Sequence, residues 1–274
     1  MQTLQNLLTG GVLLGSVWMS SLVIAAEQSS SQTPLVVPQL LSVAEQKQCL
    51  KEDEQEFCAE LRMVLDTTSV PWLDHALLAR MDLRNEQNKE HSPDLKEHLQ
   101  QIKQQAAAWM AQSYADIKEA READEPYYTG YDYRDSIRFI GQRNHLASFK
   151  QFYYGYSGGA HGMYSTSYLL FDLNSHQQLL LPDILQRFAD AKLLEALRAL
   201  YQENYADYVE HWLKGSPAEQ AEILLTDNFV FNEQGLTFSY PPYVLGPYSE
   251  GEVRLTLGYD QLKGILKPEY LLDN

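Results

Sequence analysis

The sequence predicts an α+β fold, in which a mostly antiparallel sheet carries helices packed on one face. Two observations predict this class. Between residues 94 and 123, apolar side chains recur at the 3.6-residue spacing of an amphipathic helix. From Tyr131 the hydrophobic period changes to two, which is typical of half-buried strands, and the connections between these runs are short enough for hairpins. Together these features indicate an antiparallel sheet with helices beside it.

Length and charge limit the class of partner. The chain has 274 residues, enough for one large domain or two small ones, and its formal net charge is −16. Contacts to phosphate need Lys and Arg, so we expect no binding to nucleic acid or to an anionic membrane surface. A basic protein would be attracted to such a chain. Plain solubility is the alternative explanation of the charge.

The N-terminal segment resembles a secretory signal. Residues 4–26 are apolar, carry no charged side chain and end in small residues before Glu27. Residues 1–26 are therefore predicted to be a signal peptide, and the mature chain to be periplasmic or secreted. However, no Lys or Arg precedes the apolar run. An uncleaved membrane anchor is the alternative, since about 20 apolar residues span a bilayer, and we expect a membrane contact only in that case.

The two cysteines, Cys49 and Cys58, both lie beyond the predicted signal. In an oxidising compartment we expect them to form a disulfide. Closing so short a loop stabilises a fold by about 2–3 kcal/mol. We expect no metal site here, because neither a His nor a second Cys pair lies nearby at ligand spacing.

The predicted elements of the N-terminal part follow a stretch rich in Ser, Gln and Pro. This stretch, residues 27–44, is interpreted as a flexible linker. The charged residues 44–58 are predicted to be a loop or a short turn of helix. Alternating polar and apolar residues over 59–66 predict a strand. A short amphipathic helix is predicted over 72–81.

A long core helix is predicted next. Ser92, Pro93 and Asp94 are typical of a helix start, with Ser92 as the capping residue. The helix is predicted to end near residue 123, and its polar face carries Lys, Gln and Glu. The apolar face is predicted to consist of Leu95, Leu99, Ile102, Ala106, Trp109, Met110, Tyr114 and Ile117.

Strands dominate the predicted C-terminal part. Residues 131–141, 146–156 and 164–172 predict an antiparallel meander. A second helical region begins at Pro182 and continues towards Trp212. The remaining predicted elements are strands at 177–181, 228–232, 236–240 and 252–257 and a short helix at 259–266. The N-terminal part (45–124) and the C-terminal part (127–274) are predicted to be subdomains that share one sheet.

An ordered set of motifs in the C-terminal part resembles a known family. The motifs are Tyr156-Ser157-Gly158-Gly159-Ala160-His161, Leu180-Leu181-Pro182-Asp183-Ile184-Leu185, Phe231-Asn232-Glu233-Gln234-Gly235-Leu236 and Pro242-Tyr243-Val244-Leu245-Gly246-Pro247-Tyr248-Ser249-Glu250-Gly251. In this order they resemble the RsiV-like C-terminal domain, the DUF3298 family, which is assigned to residues 127–274. The earlier strand that runs into Trp72-Leu73-Asp74 resembles a DUF4163-like region, which is assigned to residues 45–126.

The resemblance implies an extracytoplasmic binding protein. In this family an anti-sigma factor binds lysozyme through its outer domain, and the same domains accompany peptidoglycan deacetylases. Few residues precede the apolar segment here, so we expect neither anti-sigma activity nor a deacetylase domain. The resemblance implies recognition of a lysozyme-like basic protein, with or without inhibition of that hydrolase. The alternative is a cell-envelope module that binds peptidoglycan or another saccharide, in keeping with the many tyrosines.

Two stretches are predicted to form the binding surface. One is a glycine turn between two aromatic strands, and the other is a stiff loop near the C-terminus. Glycine permits backbone angles that other residues resist, and rigid Pro and Tyr groups bind at little entropy cost. A tight strand connection and a packed crossover loop are the alternative interpretations. The candidate binding residues are Tyr156, Gly158, Gly159, His161, Tyr243, Pro247, Tyr248 and Glu250.

The case for an enzyme depends on His161. A histidine in such a turn fits a general base, a metal ligand or a hydrogen-bonded structural residue, and we expect no metal because no other His lies at a recognised ligand spacing. Its candidate carboxylate partners are Asp172, Asp183 and Glu250. The sequence contains no G-x-S-x-G or H-E-x-x-H motif. We therefore expect a binding protein without a cofactor, and a hydrolase that uses His161 is the third hypothesis.

Overall fold

The computed structural model describes residues 33–81, 83, 94–123 and 130–271. The predicted signal peptide, residues 1–26, and the predicted helix start at Ser92 and Pro93 lie outside these residues. Within them the chain is a mixed α+β structure with one sheet of six strands and one of three, which confirms the predicted fold class. No helix in the described ranges is long and apolar enough to cross a membrane.

The larger sheet joins the two predicted parts of the chain. Its neighbouring strands follow the order of the sequence, and they are antiparallel except where the second strand meets the third. That parallel pair needs a crossover, which contains helices α1 (Pro71–Ala79) and α2 (Leu95–Glu122). The strands are β1 (Gln39–Glu52), β2 (Gln55–Thr67), β3 (Gly130–Arg143), β4 (Leu146–Tyr156), β5 (Met163–Asp172) and β6 (Gln177–Leu179).

The predicted loop or helical turn over residues 44–58 is wrong. This segment forms most of β1 and the start of β2, and Cys49 lies directly opposite Cys58 in the hairpin. The disulfide between them is present. Charged side chains pair across the two strands, as in Lys47 with Glu60, and these exposed charges conceal the period-two pattern. The predicted linker also ends too late, since residues 39–44 are already paired in β1.

Helix α2 starts later than predicted. Asp94 caps it, because its carboxylate accepts hydrogen bonds from the backbone N–H groups of Lys96 (2.8 Å) and Glu97 (3.1 Å). The apolar face is buried as its spacing predicts, through Ile102, Ala106, Met110 and Ile117. Trp109 packs in the same layer, with its ring centroid 6.1 Å from that of Tyr131.

The C-terminal part has a core and a sheet of its own. The predicted strands are present, but the last three form a separate sheet, because strand periodicity does not specify which strands pair. Leu193, Leu197 and Tyr201 are buried in this second core. Its elements are α3 (Leu181–Ile184), α4 (Asp190–Asn204), α5 (Ala206–Trp212), α6 (Pro217–Leu224), β7 (Phe229–Phe231), β8 (Gly235–Tyr240), β9 (Val253–Gly258) and α7 (Tyr259–Leu262).

The two faces of the six-stranded sheet have different coverings. One face of β2 buries Leu61, Met63 and Leu65 in the core that includes α1 and α2. On the opposite face, residues near β5 and β6, such as Leu170, belong to the C-terminal core. Further along that face, a cleft is lined by polar groups such as Arg134. The elements after β6 therefore cover the part of this face near β5 and β6.

Buried Asp135 in β3 makes stability depend on pH. Only 3% of the residue is exposed, and its carboxylate accepts hydrogen bonds from Gln151 Nε2 at 3.0 and 3.1 Å. Burial raises the pKa of Asp135 to about 6. The unfolded pKa is about 3.9. Because the folded-state pKa of Asp135 is raised, the protonated carboxyl contributes its full stabilisation below about pH 4. This contribution is lost as pH rises through about 6.

We expect Asp135→Asn to reduce this loss. We compare the free energy of unfolding in urea of the variant with that of the unmodified protein at two pH values. The variant's advantage should be about 2 kcal/mol larger at pH 7.5 than at pH 4. Asp207→Asn, at an exposed site, is the matched control and should change neither value. An Asp135→Asn variant with an unaltered pH profile would contradict the prediction.

Candidate functional site

The structure brings the two predicted stretches together at one surface. The glycine turn between β4 and β5 faces the loop between β8 and β9. The rings of His161 and Tyr248 stack with their centroids 4.0 Å apart and an interplanar angle of 22°. The hydroxyl of Tyr243 lies 3.4 Å from His161 Nε2. Residues from both sheets therefore contribute to one site, while their role in binding stays a prediction.

Five rings form what we call the aromatic cluster: His161, Tyr164, Trp212, Tyr243 and Tyr248. Tyr248 lies at its centre, with its ring centroid 5.8 Å from those of Tyr164 and Tyr243. Trp212 extends the cluster from Tyr243, at 6.4 Å. His161 is exposed and Tyr243 is 47% exposed, so a partner has access to the rings.

Sequence reasoning missed Trp212 and Tyr164. The sequence places Trp212 only towards the end of a helical region, and the structure shows that α5 contains no buried residue. Tyr164 was interpreted as an ordinary strand residue, and only the pairing of the two sheets places it against Tyr248.

The glycine turn requires its glycines for two different reasons. Gly158 and Gly159 have φ angles of +93° and +87°, which favour glycine. Gly162 lies directly against the Tyr154 ring, since a Cβ built there would be only 2.5 Å from that ring. The hydroxyl of Tyr156 donates to the carbonyl oxygen of Gly159 at 2.9 Å and closes the turn.

The orientation of His161 follows from the turn. Its Nδ1 lies 2.9 Å from the carbonyl oxygen of Gly162. Because a carbonyl only accepts, Nδ1 donates, and in the neutral ring Nε2 is the acceptor. Nε2 points to the Tyr243 hydroxyl, which is its donor at 3.4 Å.

Tyr243 has an unusual backbone. It follows Pro242 in a turn closed by a hydrogen bond from Val244 N–H to the carbonyl oxygen of Pro241, at 3.2 Å. Its φ is +70°, a region in which a bulky side chain is an outlier and glycine is normal. Such strain persists only where the surroundings impose it, and it concentrates at functional sites. Here it holds an exposed ring beside His161.

The loop that carries Tyr243 and Tyr248 is anchored from beneath. Leu245 is fully buried, and its carbonyl oxygen accepts a hydrogen bond of 2.6 Å from the Tyr201 hydroxyl. Burial raises the pKa of Tyr201 to about 12, so this hydroxyl keeps its proton. Pro247 precedes a short 3₁₀ helix, Tyr248–Glu250, which Gly251 ends at a φ of +77°. The cluster therefore rests on a fixed support.

Carboxylates border the aromatic cluster. Glu250 is exposed and accepts a hydrogen bond of 3.0 Å from the Tyr208 hydroxyl. The side chain of Glu252 is only 8% exposed. Its Oε2 lies 3.2 Å from Arg254 Nη2, while its Oε1 has no hydrogen-bond partner among the described residues. Burial, followed by the charge of Glu252, raises the pKa of Tyr164. The site thus combines aromatic faces with negative charge, which suits a cationic group.

The structure does not supply the carboxylate partners that were predicted for His161. Asp172 accepts hydrogen bonds from Asn174 and Ser175 N–H in its own turn. Asp183 accepts one from Leu180 N–H. Both are used locally because short acidic side chains close turns readily, so the proposed pairing of either with His161 is wrong. Glu250 is bonded to a tyrosine instead.

In the described part of the chain, one group of metal-ligand type occurs, and it belongs to the disulfide. Cys49, Cys58 and Glu56 lie within 4.8 Å of one another. The two sulfur atoms are bonded to each other, so they are not thiolate ligands. Glu56 forms an ion pair with Lys51, which lowers the pKa of Glu56.

The two stretches that form the site lie in regions that match two different family models. Residues 180–260, which include the Tyr243–Tyr248 loop, match the model described as "Protein of unknown function (DUF3298)". The chain contains a DUF3298 domain. Residues 78–164, which include the glycine turn, match the model described as "Deacetylase PdaC". The aromatic cluster thus contains residues from both matched regions. The RsiV-like and DUF4163-like assignments and the boundary near residue 126 stay predictions.

Two crystal structures share the fold. One is a DUF3298 family protein from Pseudomonas aeruginosa, with 18% identity, a TM-score of 0.57 and coverage of 88% of this chain and 99% of that one. The other is a member of the same family from Bacteroides fragilis, with 16% identity, a TM-score of 0.60 and coverage of 85% and 94%. At this identity the likeness shows the fold alone. No curated protein matches the chain.

The Tyr201 anchor generates a testable prediction. Tyr201→Phe should lower the free energy of unfolding by about 1–2 kcal/mol, because the buried carbonyl of Leu245 loses its donor. It should also raise amide hydrogen exchange in residues 243–251. Tyr240→Phe is the matched control, since its hydroxyl donates to the carbonyl oxygen of Leu224 at 2.8 Å. That variant should lose similar stability and leave exchange in the loop unchanged; equal exchange in both variants would show that Tyr201 is no anchor.

Proposed function

We propose that the mature chain is a periplasmic or secreted binding protein whose aromatic cluster recognises a lysozyme-type hydrolase. The observation that carries this proposal is the contact of His161, from the glycine turn, with Tyr243 and Tyr248 on the anchored loop, beside two carboxylates. Such a surface suits recognition, because His161 and Tyr243 are exposed and Tyr243 is held there against backbone strain.

The cluster has the properties of an interface hot spot. Tyrosine and tryptophan supply large contact areas with few rotatable bonds, so little conformational entropy is lost on binding. Pro242 and the anchored Leu245 reduce that loss further, because the loop already has a defined conformation. A loop of this kind enters a concave partner, such as the substrate cleft of a hydrolase, without reorganisation.

Charge supports a basic partner. The chain carries a formal net charge of −16, and Glu250 and Glu252 border the cluster. Complementary charge accelerates association and orients the two proteins, and it makes the association rate fall as salt increases. A Lys or Arg of the partner that packs on a ring face and reaches Glu250 would gain both cation–π and ionic contacts.

The comparisons support a cell-envelope role. A DUF3298 domain is present, and the adjacent region matches a model named for a deacetylase. Together with the expected signal peptide, these matches favour a protein that acts where the cell wall and its hydrolases are found. Inhibition of the hydrolase would follow if the loop occupies its substrate cleft.

The first test is calorimetric titration of residues 27–274 with a basic c-type lysozyme at physiological and at low salt. We expect binding that tightens at low salt and that Tyr248→Ala weakens at least about tenfold. Phe188→Ala removes an aromatic side chain that is 80% exposed outside the cluster, and it should have no effect. Absence of heat and of co-elution with several lysozyme types would reject the proposal.

A saccharide ligand is the second candidate, and one observation favours it. The open polar face of the larger sheet contains a cleft of about 330 Å³, lined by Glu60, Arg62, Asp132 and Arg134 among others. The Arg134 guanidinium lies 5.6 Å from the ring centroid of Tyr154, which packs under Gly162. Polar groups of the cleft therefore lie beside an aromatic ring, a combination that suits a glycan.

Sedimentation with insoluble peptidoglycan distinguishes the two candidates. A glycan-binding module should enter the pellet, and Tyr248→Ala and Arg134→Ala should each release it to the supernatant. Complete recovery of the unmodified protein in the supernatant would reject the saccharide candidate and leave the lysozyme-type partner.

A further inference from the structure

A second cleft lies away from the aromatic cluster, where the end of the β3–β4 hairpin meets the β7–β8 turn. Its volume is about 270 Å³. That is the size of a small organic molecule.

A bulge in β3 opens this cleft. The register with β4 shifts between Phe139 and Gly141, so Ile140 is the extra residue. Gly141 lines the cleft, and a Cβ built on it would meet nothing within 4 Å. The missing side chain at this position is therefore part of the cleft volume.

The walls of the cleft are mostly apolar. Leu146 and Leu170, which are buried in the C-terminal core, form one side together with Phe231. Ile140 is 46% exposed and lies at the mouth. Such a lining favours a ligand with an apolar body, because burial of apolar surface is the main source of affinity in small-molecule sites.

One cation lies in this apolar setting. Arg143 Nη2 donates a hydrogen bond of 3.0 Å to the carbonyl oxygen of Tyr270, and the guanidinium lies 4.9 Å from the Phe231 ring centroid. Nη1 is buried and has no hydrogen-bond partner among the described residues. The salt bridges formed within those residues do not include Arg143.

Among the described residues, no carboxylate of the cleft pairs with this cation. The Tyr259 hydroxyl donates to the carbonyl oxygen of Asn232, at 2.9 Å, and its side chain is hydrogen-bonded to Arg143, but this neutral group does not compensate the charge of the guanidinium. Glu233 also lines the cleft, but it is exposed, so solvent and salt screen its charge. A buried guanidinium N–H without an acceptor is costly, and an anionic oxygen supplied by a ligand would remove that cost.

We propose that this cleft binds a small organic carboxylate, with the carboxylate on Arg143 and an apolar body against Leu146, Leu170 and Phe231. Arginine is the side chain best suited to a planar carboxylate, to which its hydrogen bonds are charge-assisted. The site is separate from the aromatic cluster and does not depend on the function proposed for it.

The test uses octanoate and its neutral analogue octanamide, titrated calorimetrically into residues 27–274. We expect octanoate to bind with a Kd between about 0.1 and 1 mM and octanamide to bind at least about tenfold more weakly. Equal affinity for the two ligands would show an apolar groove without carboxylate recognition and would overturn the proposal. Absence of octanoate binding would overturn it as well.

Variants locate the site. Arg143→Met should weaken octanoate binding at least about tenfold, whereas Arg187→Met, which removes the same charge beside the exposed Phe188, should not. Because Arg143→Met also loses the bond to Tyr270, a second variant is needed. Gly141→Leu keeps Arg143, fills the cleft and should abolish octanoate binding in a protein of unchanged circular dichroism. Full octanoate binding by Gly141→Leu would place the ligand elsewhere.

Discussion

The side-chain amide of Asn228 is the contact on which the geometry of the aromatic cluster depends. Its Oδ1 accepts from Tyr168 N–H at 2.8 Å, and its Nδ2 donates to the carbonyl oxygens of Thr166 and Ser239, each at 2.8 Å. One side chain thereby binds backbone groups of β5 in the larger sheet and of β8 in the smaller one. Apolar packing around Leu170 stabilises the contact between the larger sheet and the C-terminal core, but the hydrophobic effect is not directional. The hydrogen bonds of Asn228 set where β5 lies relative to β8, and hence where His161 lies relative to Tyr248.

The cluster also shows how a protein retains a strained residue. Tyr243 occupies a backbone region that normally belongs to glycine. The surrounding loop compensates through the buried Leu245, the Tyr201 hydroxyl and the hydrogen bond from Tyr243 N–H to the carbonyl oxygen of Gly246, at 3.0 Å. Backbone strain, exposure of the ring and the unpartnered Oε1 of Glu252 occur together here. None of the three favours stability, which is the pattern expected of a surface selected for binding.

The parallel pairing of β2 with β3 connects the local pieces into one molecule. The hairpin of β1 and β2, held by Cys49 and Cys58, would otherwise end at an open edge. Pairing with Gly130 and the residues after it extends the sheet to six strands. A Cβ at Gly130 would lie against the carbonyl oxygen of Cys58, so the close approach of the strands depends on this glycine. The same sheet then presents one face to α2 and the other to the C-terminal part.

The sequence by itself determined the elements whose signals are local. The spacing of Ile102, Ala106 and Met110 predicts the buried face of α2, and period-two alternation predicts β4 within its observed bounds. The glycine turn and the Pro/Tyr loop were also recognisable as a candidate surface, because clustered glycines, prolines and tyrosines are a local signal of a tight turn and a stiff aromatic loop. The charged β1 strand was not recognisable, because the exposed charged side chains that pair across to β2 mask its period-two hydrophobic pattern.

Only the tertiary structure decided which distant residues meet. Periodicity specifies which face of a strand is buried but not which strand lies beside it, so the separate sheet of β7, β8 and β9 was not predictable. For the same reason Trp212 and Tyr164 joined the aromatic cluster without a sequence signal, and Asp172 and Asp183 were wrongly considered as partners of His161. The sequence gives no signal for Arg143 either, because an arginine becomes a candidate site only when folding buries one of its N–H groups without an acceptor.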